Sequence, residues 1–330
     1  MSHLPDPGVP LDEAAASAAF ATLFDGDLSD EEIGAFLVAL SDRGETAIEI
    51  AAAAMAMRER MIAINAPDNA IDVCGTGGDG LHTLNVSTAV AIVVAACDVP
   101  VAKHGNRAAT SLAGGADTLE ALGLNLDHAS ATAEATLADL GICFLFAQKH
   151  HPALARLGPI RKALGRRTIF NLLGPLGNPA RVKRQLVGIA RVDYAPLYAE
   201  AMVRIGMNRA MIVSGEDGMD ELSLSAANHV IELTEGSGVE TYSLAAADAG
   251  LPGWPAEALL GGSAVYNAAA LRRLLMGETG AYRDAVLFNA GAALVVAGAA
   301  PDLRSGVEEA AEAIDKGLAN ALLNCWIAYT

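Results

Sequence analysis

The sequence predicts an α/β protein in which a small N-terminal helical domain, residues 1–66, precedes a large domain, residues 67–330, with a mostly parallel central sheet. The chain has 330 residues, more than the roughly 100–200 that one domain usually holds. Hydrophobic residues make up 52% of it and aromatic residues only 5%, a composition that suits helices packed closely on parallel strands. In the second part, segments typical of strands and helices alternate, which favours crossover connections.

The N-terminal block carries the start signals of helices. Ser29 and Glu32 form a capping box, and apolar residues recur at helical spacing after it. Thr46 and Glu49 form a second box ahead of another periodic apolar segment. The turn-rich stretch 66–69 follows, and we place the boundary between the two domains there.

Strands and helices alternate through the second domain. The predicted parallel strands span residues 71–74, 99–102, 142–147, 185–190 and 210–213. Helices are predicted over residues 87–96, 117–122 and 194–205. Two closely spaced strands, 230–233 and 239–244, predict an antiparallel pair. Long helices over residues 282–297 and 305–326 close the chain.

The acidic composition limits the classes of ligand. Lysine and arginine total 22 against 39 for aspartate and glutamate, which gives a formal net charge of −17. Binding along a nucleic-acid backbone needs a basic face, so we predict no nucleic-acid partner. Any phosphate site should be a small pocket with local positive charge or a metal ion.

The cysteines and the N-terminus predict a cytoplasmic location. Cys74, Cys97, Cys143 and Cys325 lie in apolar runs without Cys-x-x-Cys spacing, as expected of unpaired thiols in a reducing compartment. Residues 1–10 are polar and proline-rich, unlike a signal peptide. No apolar stretch reaches the roughly 18 residues that a membrane span needs, so we expect no membrane association.

A glycine-rich loop after the first predicted strand is the most informative segment. Gly75, Gly77 and Gly80 match G-x-G-x-x-G, which is a weak signal for dinucleotide binding when it stands alone. In a dinucleotide fold the glycines open the helix directly, whereas here residues 85–88 open it. Asp79 would also repel a closely held pyrophosphate and is better suited to sugar hydroxyls or a metal. The helix N-terminus favours an anion; the alternative is an ordinary capped junction.

A cluster of cations follows the second predicted strand. Lys103, His104 and Arg107 flank Gly105 and Asn106, in a chain that has only five lysines. Adjacent parallel strands bring their carboxyl ends together at the ligand-binding edge of a sheet. We therefore predict a phosphate cradle with backbone N–H groups from the first loop and point charges from the second. A solvated basic turn is the alternative interpretation.

Two further segments leave alternatives open. Asp220 and Glu221 suit Mg²⁺, which takes one or two carboxylates and completes its shell with water and substrate phosphates; a solvated acidic loop is the other interpretation. Arg161 could hold a carboxylate bidentately, although the pattern alone does not distinguish it from neighbouring arginines. His150 and His151 are interpreted as capping or packing residues, because they lack the spacing of a zinc site.

Taken together, these segments resemble the anthranilate phosphoribosyltransferase family, in order and over nearly the whole chain. The motifs concerned are Gly75-Thr-Gly-Gly-Asp79, Asn85-Val-Ser-Thr88, Lys103-His-Gly-Asn-Arg107, Arg161, Arg167-Thr-Ile-Phe-Asn-Leu-Leu-Gly-Pro175 and Asp220-Glu221. The resemblance implies a nucleoside phosphorylase/phosphoribosyltransferase-like fold and a homodimer formed through the helical domain. It also implies that a segment near residues 150–165 packs back onto that domain.

The resemblance assigns the site residues as well. The residues implied for phosphoribosyl pyrophosphate are Gly75, Gly78, Asp79, Thr83, Asn85, Val86, Ser87, Thr88, Lys103, His104, Gly105, Asn106, Arg107, Ala108, Ala109, Thr110, Ser111 and Gly115. Those implied for anthranilate are Gly75, Asn106 and Arg161, and those implied for Mg²⁺ are Ser87, Asp220 and Glu221. Position 115 is Gly where some family members carry Ser, so only a backbone contact is expected there.

The implied reaction belongs to tryptophan biosynthesis. The anthranilate amine displaces pyrophosphate from the anomeric carbon and gives N-(5-phosphoribosyl)anthranilate. An aniline-type amine is neutral at pH 7, so we predict no dedicated general base, and catalysis should rest on positioning and electrostatics. Two alternatives are weighed against it. A pyrimidine nucleoside phosphorylase-like enzyme would need no carboxylate-binding arginine, and a non-catalytic relative that binds nucleic acid conflicts with the negative charge.

Overall fold

The computed structural model describes residues 4–108 and 112–329. The predicted site residues Ala109, Thr110 and Ser111 therefore lie outside the described residues. The strands are β1 (Ile71–Gly75), β2 (Val101–Gly105), β3 (Ile142–Phe146), β4 (Arg184–Gly188), β5 (Arg209–Gly215), β6 (Asn228–Thr234) and β7 (Gly238–Leu244). They form one sheet in the order β3-β2-β1-β4-β5-β6-β7. Strands β1 to β5 are parallel, and β6 and β7 add an antiparallel edge, as predicted.

Helices cover both faces of the sheet. The helices of the described residues are α1 (Glu13–Asp25), α2 (Asp30–Arg43), α3 (Ala47–Glu59), α4 (Val86–Ala96), α5 (Gly115–Leu122), α6 (Leu126–Ala131), α7 (Ala133–Leu140), α8 (Ala147–His150), α9 (Leu157–Leu164), α10 (Ala195–Arg204), α11 (Ala264–Leu275), α12 (Ala281–Ala297), α13 (Leu303–Asp315) and α14 (Leu318–Tyr329). None of these helices combines the length and the apolar character required to cross a membrane.

The two faces of the sheet are buried in different hydrophobic cores. Along β5, Met211 and Val213 belong to the core that contains α4 and α12. Ala210 and Ile212 belong to the core that contains the N-terminal helices and α10. Alternate side chains of a strand point to opposite faces, and burial of both faces explains why β3 and the middle of β5 are continuous apolar runs.

The N-terminal helices α1–α3 form a layer of their own. Both predicted capping boxes are present, at Ser29 and at Thr46. Leu157 and Ile160 of α9 share the hydrophobic core of these helices, so a segment from the middle of the chain packs against them. A small helical domain beside a large α/β domain with a mostly parallel sheet is thus confirmed as the fold, while the exact boundary at residue 66 stays a prediction.

Two predicted elements differ from the structure. Strand β2 spans Val101–Gly105 instead of residues 99–102, so Lys103 and His104 end a buried strand and are not loop residues. The single helix predicted over residues 305–326 is two helices, because Gly317 adopts a left-handed φ of 74° between α13 and α14. Glycine ends helices in this conformation without steric cost. The first difference matters for the site because a strand holds its side chains more rigidly than a turn does.

The strand order creates a switch point at the first strand. Strand β1 pairs with β2 on one side and with β4 on the other, so the crossover connections diverge from it. Open α/β sheets bind ligands in the crevice outside the carboxyl ends of the strands at such a point. Gly75 ends β1, and Gly188 ends β4, directly beside this crevice.

Candidate active site

A cavity of about 440 Å³ lies at the carboxyl ends of β1 and β2. Asp79 of the glycine loop and Lys103 of β2 both line it, so the two predicted segments meet in one hollow. Two walls face each other. We call residues 75–88, 103–108 and 220–221 the sheet wall, and residues 147–175 the opposite wall. The volume is in the range of roughly 300–1,000 Å³ that is usual for small-molecule sites.

The glycine loop depends on backbone conformations that other residues rarely adopt. Gly77, Gly78 and Gly80 have φ values of 70°, 81° and 75°, in the left-handed region that favours glycine. Gly75 has a different requirement, because a Cβ atom there would overlap the carboxylate of Asp220. The glycines therefore serve to curve the loop around the cavity and to let Asp220 approach the end of β1.

Asp220 and Glu221 cross over the ends of the parallel strands and join the sheet wall. The Gly77 N–H donates to Asp220 Oδ2 (2.6 Å), and the Ser87 N–H donates to Glu221 Oε1 (2.9 Å). Gly188 makes this crossing possible, since a Cβ there would overlap the Asp220 carbonyl oxygen. The acidic pair is thus not a solvated loop: it connects the glycine loop to the N-terminus of α4, where a negative charge is favourable.

The electrostatics of this pair fit a divalent cation. Burial raises the pKa of Glu221, and the charge of Asp220 raises it further. The pKa of Asp220 is raised by burial and by Asp79. Glu221 Oε2 is buried without a hydrogen-bond partner in the described structure. Two buried carboxylates held side by side need a cation to remain ionised. With the nearby Ser87 hydroxyl they match what Mg²⁺ takes from protein when substrate supplies the rest.

Lys103 and His104 are held rigidly at the end of β2. Lys103 Nζ donates to the carbonyl oxygen of Val73 (2.8 Å) and to Ser87 Oγ (3.3 Å), and burial lowers its pKa. His104 Nδ1 is 3.0 Å from the carbonyl oxygen of Gly174. Because a carbonyl only accepts, Nδ1 carries the proton, and Nε2 is left as an acceptor. Burial lowers the pKa of His104 to about 3, so this ring is neutral at pH 7.

A buried polar network beneath the cavity was not predicted. Asp72 on β1 accepts hydrogen bonds from the His104 N–H (3.1 Å) and from Asn178 Nδ2 (2.8 Å). Gln185 Nε2 on β4 donates to the carbonyl oxygen of Pro175 (2.9 Å). Asp72, Asn178 and Gln185 are fully buried. The network ties the opposite wall near Pro175 to strands β1, β2 and β4, and single polar residues inside apolar strands gave no signal of this in the sequence.

The side chain of Asn85 is committed within the protein. Its Oδ1 accepts from Thr118 Oγ1 and from Asn267 Nδ2 (2.9 Å), and its Nδ2 donates to the carbonyl oxygen of Ala113 (3.0 Å). Asn85 therefore anchors the start of α4 to α5 and α11. The ligand contact predicted at Asn85 would therefore involve its backbone and not its side-chain amide.

Asn289 on α12 is a second asparagine that sequence analysis missed. Its Oδ1 accepts from the Leu222 N–H (2.9 Å), and its Nδ2 donates to the Leu222 carbonyl oxygen (3.1 Å). The side chain thus pairs with the backbone directly after Glu221 and holds the acidic pair in place. Its position in a long apolar helix resembled that of an ordinary core residue.

Arg161 enters the cavity from the opposite wall. Its guanidinium lies over the ring of Phe170, 5.7 Å from the centroid, and burial lowers its pKa. Within the described residues no hydrogen bond or ion pair engages this guanidinium, so it can accept a carboxylate from a ligand. His151 lines the same wall and is buried. It was predicted to be a packing residue, and the sequence did not indicate its place in the cavity.

The predicted site residues are gathered almost completely. Those that line the cavity are Gly75, Gly78, Asp79, Thr83, Asn85, Ser87, Thr88, Lys103, His104, Gly105, Asn106, Arg107, Ala108, Gly115, Arg161, Asp220 and Glu221. Val86 is buried and is not among the lining residues. The Arg107 side chain forms ion pairs with Asp117 and Glu120, so its charge is already balanced. A Cβ at Gly115 would lie 3.0 Å from Thr88 Oγ1, which leaves little room for a larger residue.

Other lining residues were not predicted. They are Met57, Cys74, Thr76, Gly77, Gly80, His82, Leu84, Ala113, Gly114, Ala147, His151, Leu154, Phe170, Asn171, Leu173, Gly174 and Pro175. Those of the glycine loop could have been included by continuity with their neighbours. Those of residues 147–175 come from short helices and turns, and only the fold brings them to the cavity.

Comparison with known proteins gives a consistent result. The helical bundle domain of the glycosyl transferase family matches residues 7–61, and the a/b domain of the same family matches residues 67–320. Anthranilate phosphoribosyltransferases of Novosphingobium aromaticivorans and Sphingopyxis alaskensis are each 67% identical to the chain. The alignments cover 99% of both proteins in the first case and 98% of both in the second.

Solved structures agree with these relatives. The crystal structure of anthranilate phosphoribosyltransferase from Thermus thermophilus has a TM-score of 0.92 and 43% identity, and the match covers 100% of this chain and 99% of that one. The Saccharomyces cerevisiae enzyme in complex with PRPP and Mg has a TM-score of 0.88 and 28% identity, covering 97% of this chain and 93% of that one. The chain therefore belongs to the anthranilate phosphoribosyltransferase family, within the glycosyl transferase family.

Proposed function

We propose that this protein transfers the phosphoribosyl group of phosphoribosyl pyrophosphate to the amine of anthranilate, giving N-(5-phosphoribosyl)anthranilate and pyrophosphate in tryptophan biosynthesis. The observation that carries the proposal is the single cavity in which the glycine loop, Lys103, the acidic pair and Arg161 meet. Each component suits one part of the two substrates. The full-length similarity to anthranilate phosphoribosyltransferases supports the same reaction.

The donor is assigned to the sheet wall. Backbone N–H groups of the curved glycine loop suit phosphate oxygens, because successive N–H groups in such turns form an anion-binding concavity. Lys103 adds a point charge from the floor, and Asp79 is available for sugar hydroxyls. Because the net charge of the protein is −17, a phosphorylated ligand needs a pocket in which the electrostatic potential is locally positive.

The acceptor is assigned to the opposite wall. Arg161 matches the anthranilate carboxylate, since a planar guanidinium holds a carboxylate through two parallel hydrogen bonds. Phe170 backs the guanidinium. The neutral rings of His104 and His151, with centroids 5.1 Å apart, line the same cavity. Asn106, directly after β2 in the sheet wall, accepts a hydrogen bond from Gln148 Nε2 of the opposite wall (3.4 Å) and is assigned to the acceptor as well.

The chemistry needs positioning more than proton transfer. The anthranilate nitrogen attacks the anomeric carbon, the bond to the diphosphate oxygen breaks, and the ribosyl centre becomes oxocarbenium-like as it does in other glycosyl transfers. The neutral aniline nitrogen has its lone pair available at pH 7, and after the new bond has formed its surplus proton passes to water. Rigid residues such as Lys103, on a buried strand, lower the barrier by holding charge where charge develops.

Magnesium is the proposed cofactor. Asp220 and Glu221, with the Ser87 hydroxyl, would hold it directly or through water. When bound, the ion supplies positive charge against the departing diphosphate. The acidic pair is kept in place for this by the Gly77 and Ser87 N–H groups and by Asn289.

We also infer a homodimer formed through the helical domain, in the cytoplasm. The resemblance to the family implies this dimer, and Val9, Met55 and Ile62, which expose 56%, 43% and 56% of their surface in or next to α1–α3, are apolar side chains that such a contact would cover. Sedimentation analysis tests this. Met55→Glu is expected to give monomers, whereas Val203→Glu, on the exposed side of α10, is expected to leave the dimer intact. An unchanged dimer in the first variant would contradict the interface.

The reaction itself is tested by following anthranilate fluorescence. With phosphoribosyl pyrophosphate and Mg²⁺ we expect the signal to fall as pyrophosphate is released in equal amount. Thymidine or uridine with phosphate serves as the control for phosphorolysis and should give no product. Phosphorolysis without anthranilate consumption would overturn the proposal.

A further inference from the structure

Most arginine side chains of this protein are engaged by its own carboxylates or backbone carbonyls. Arg161, Arg167 and Arg181 are the exceptions, since no hydrogen bond or ion pair joins their guanidinium groups to other residues of the described ranges 4–108 and 112–329. Arg161 lines the cavity, and Arg181 is exposed at the surface. Arg167 has no role in the site described above, although its guanidinium lies at the rim of that site.

The guanidinium of Arg167 lies against the glycine loop. A methyl group built on Gly78 would be 3.2 Å from Nη1 of Arg167 and 3.8 Å from Cζ. The backbone of Arg167 is anchored elsewhere, because its carbonyl oxygen accepts a hydrogen bond from Ser41 Oγ on α2 (3.2 Å). The side chain therefore reaches from the helical layer across to the loop that is assigned to the donor.

No carboxylate of the described residues lies within ion-pair distance of this guanidinium. The charge of Arg167 contributes to the lowered pKa of Asp193. Asp193 is already held by Arg191, whose Nε donates to Oδ1 (3.1 Å). The adjacent Arg166 behaves in the opposite way, since it forms an exposed ion pair with Asp42. Of two consecutive arginines, one is neutralised at the surface and the other is held unpaired beside the glycine loop.

The chemistry of the two neighbours indicates the ligand. A guanidinium presents several N–H donors in a fork that matches phosphate oxygens. Gly78 adopts a left-handed conformation and lines the cavity, so the donors of Arg167 and the N–H groups of the loop can act on the same anion. A sugar hydroxyl or an aromatic ring would not need an unbalanced charge in this position.

We propose that Arg167 binds the diphosphate of the ribosyl donor at the rim of the glycine loop and retains the pyrophosphate product until release. The inference rests on the proposed function and deepens it, because it adds a residue of the opposite wall to a donor subsite that is otherwise formed by the sheet wall. Arg167 acts through its charge and its hydrogen bonds.

The test compares Arg167→Ala and Arg167→Gln with Arg166→Ala, the matched control one residue away. Binding of inorganic pyrophosphate with Mg²⁺ is measured by calorimetry, and steady-state rates are measured with the donor or anthranilate varied. We expect the Arg167 variants to weaken pyrophosphate binding and to raise the donor KM by about 10- to 100-fold, as for the loss of a charge-assisted hydrogen bond. Arg167→Lys should restore part of the loss, and Arg166→Ala should resemble the wild type.

The outcomes separate the inference from the function on which it rests. If wild-type protein releases no pyrophosphate with anthranilate and the donor, the proposed function fails. If wild-type protein turns over but both Arg167 variants bind pyrophosphate as Arg166→Ala does, the assignment of Arg167 is overturned. A defect confined to the anthranilate KM would overturn it as well. So would a failure of Arg167→Gln to fold, checked by circular dichroism, because that would show a structural role.

Discussion

The two walls of the cavity are built in different ways. The sheet wall consists of strand ends and the loops that follow them, and its key groups are fixed by backbone hydrogen bonds, such as that from Gly77 to Asp220. The opposite wall consists of short helices and 3₁₀ turns, and its key groups, Arg161 and His151, are fixed mainly by packing. This difference suggests that each wall binds one of the two substrates. Rigid polar groups suit a charged donor, whereas a packed and largely apolar wall suits an aromatic acceptor.

The largest effect should follow removal of a carboxylate from the sheet wall. Asp220→Asn keeps the acceptor for the Gly77 N–H but removes the charge that would hold Mg²⁺. We expect turnover to fall about 10²- to 10³-fold, in line with the loss of one main electrostatic group, and the Mg²⁺ titration to shift to higher concentration. Glu216→Gln, an exposed residue of the same acidic run, is the control. An unchanged titration curve in Asp220→Asn would remove it from the metal site.

Replacement of Arg161 tests the opposite wall. Arg161→Ala should raise the anthranilate KM by about 10- to 100-fold, because a charge-assisted pair is lost, and it should change the donor KM little. Initial rates over a grid of both substrates give the two constants, and the exposed neighbour Lys162→Ala controls for local disturbance. A rise in the donor KM alone, with the anthranilate KM unchanged, would contradict the assignment of anthranilate to the opposite wall.

Replacement of Lys103 should give the reverse pattern. Lys103→Met keeps most of the side-chain volume and removes the charge, so donor affinity measured by calorimetry should fall about 10-fold while anthranilate affinity stays close to that of the wild type. The carbonyl of Val73 loses its donor, which should also lower the free energy of unfolding by roughly 1–3 kcal/mol. Unaltered donor affinity in a folded variant would remove Lys103 from the donor site.

The sequence predicted the sheet wall of the site better than the opposite wall. The sheet wall was predicted almost in full, because its residues lie in contiguous motifs after strands and the carboxyl ends of parallel strands must meet. His151 was missed, and Phe170 and Pro175 were given no place in the site although they lie in the Arg167–Pro175 motif of the resemblance. Residues of short irregular segments reach the cavity only through tertiary packing. Asn289 and Asn267 were missed for a related reason: a single asparagine in an apolar helix carries no sign of what it contacts.

The positions of the strands were predicted well, whereas the extent of β2 was not. The five parallel strands and the antiparallel pair are where the apolar runs indicate them. The one shift of consequence is β2, which extends to Gly105 because Lys103 and His104 are buried by the network below them. In a sequence, charged residues such as Lys103 usually indicate the start of a loop. The sequence does not show that Asp72 and Val73 provide partners that stabilise Lys103 and His104 in a buried strand.

A smaller effect is expected in the pH dependence of stability, through a histidine of the opposite wall. Burial lowers the pKa of His151 to about 4 from an ordinary value of 6.5, with a contribution from His150. Below pH 6.5 the unfolded chain binds a proton that the folded chain does not, so the stabilisation is complete above that pH and is lost as pH falls towards 4. His151→Gln should flatten the fall in unfolding free energy by about 1.4 kcal/mol per pH unit.

The exposed His128→Gln is the control for this measurement and should leave the profile unchanged. Urea unfolding between pH 4 and 6.5 gives the slopes. Equal slopes for His151→Gln and the wild type would mean that His151 is hydrated, and the packed character of the opposite wall would then be wrong.

The central claim is that the glycine loop and the end of β2 bind one donor molecule between them. Hydrogen–deuterium exchange with mass spectrometry tests it directly, because bound phosphates protect the backbone amides that they engage. Addition of phosphoribosyl pyrophosphate and Mg²⁺ should slow exchange in peptides from residues 75–88 and 103–108 together, at the same donor concentration, and should not affect the β6–β7 edge. Protection of only one of the two segments, or of neither, would contradict the account.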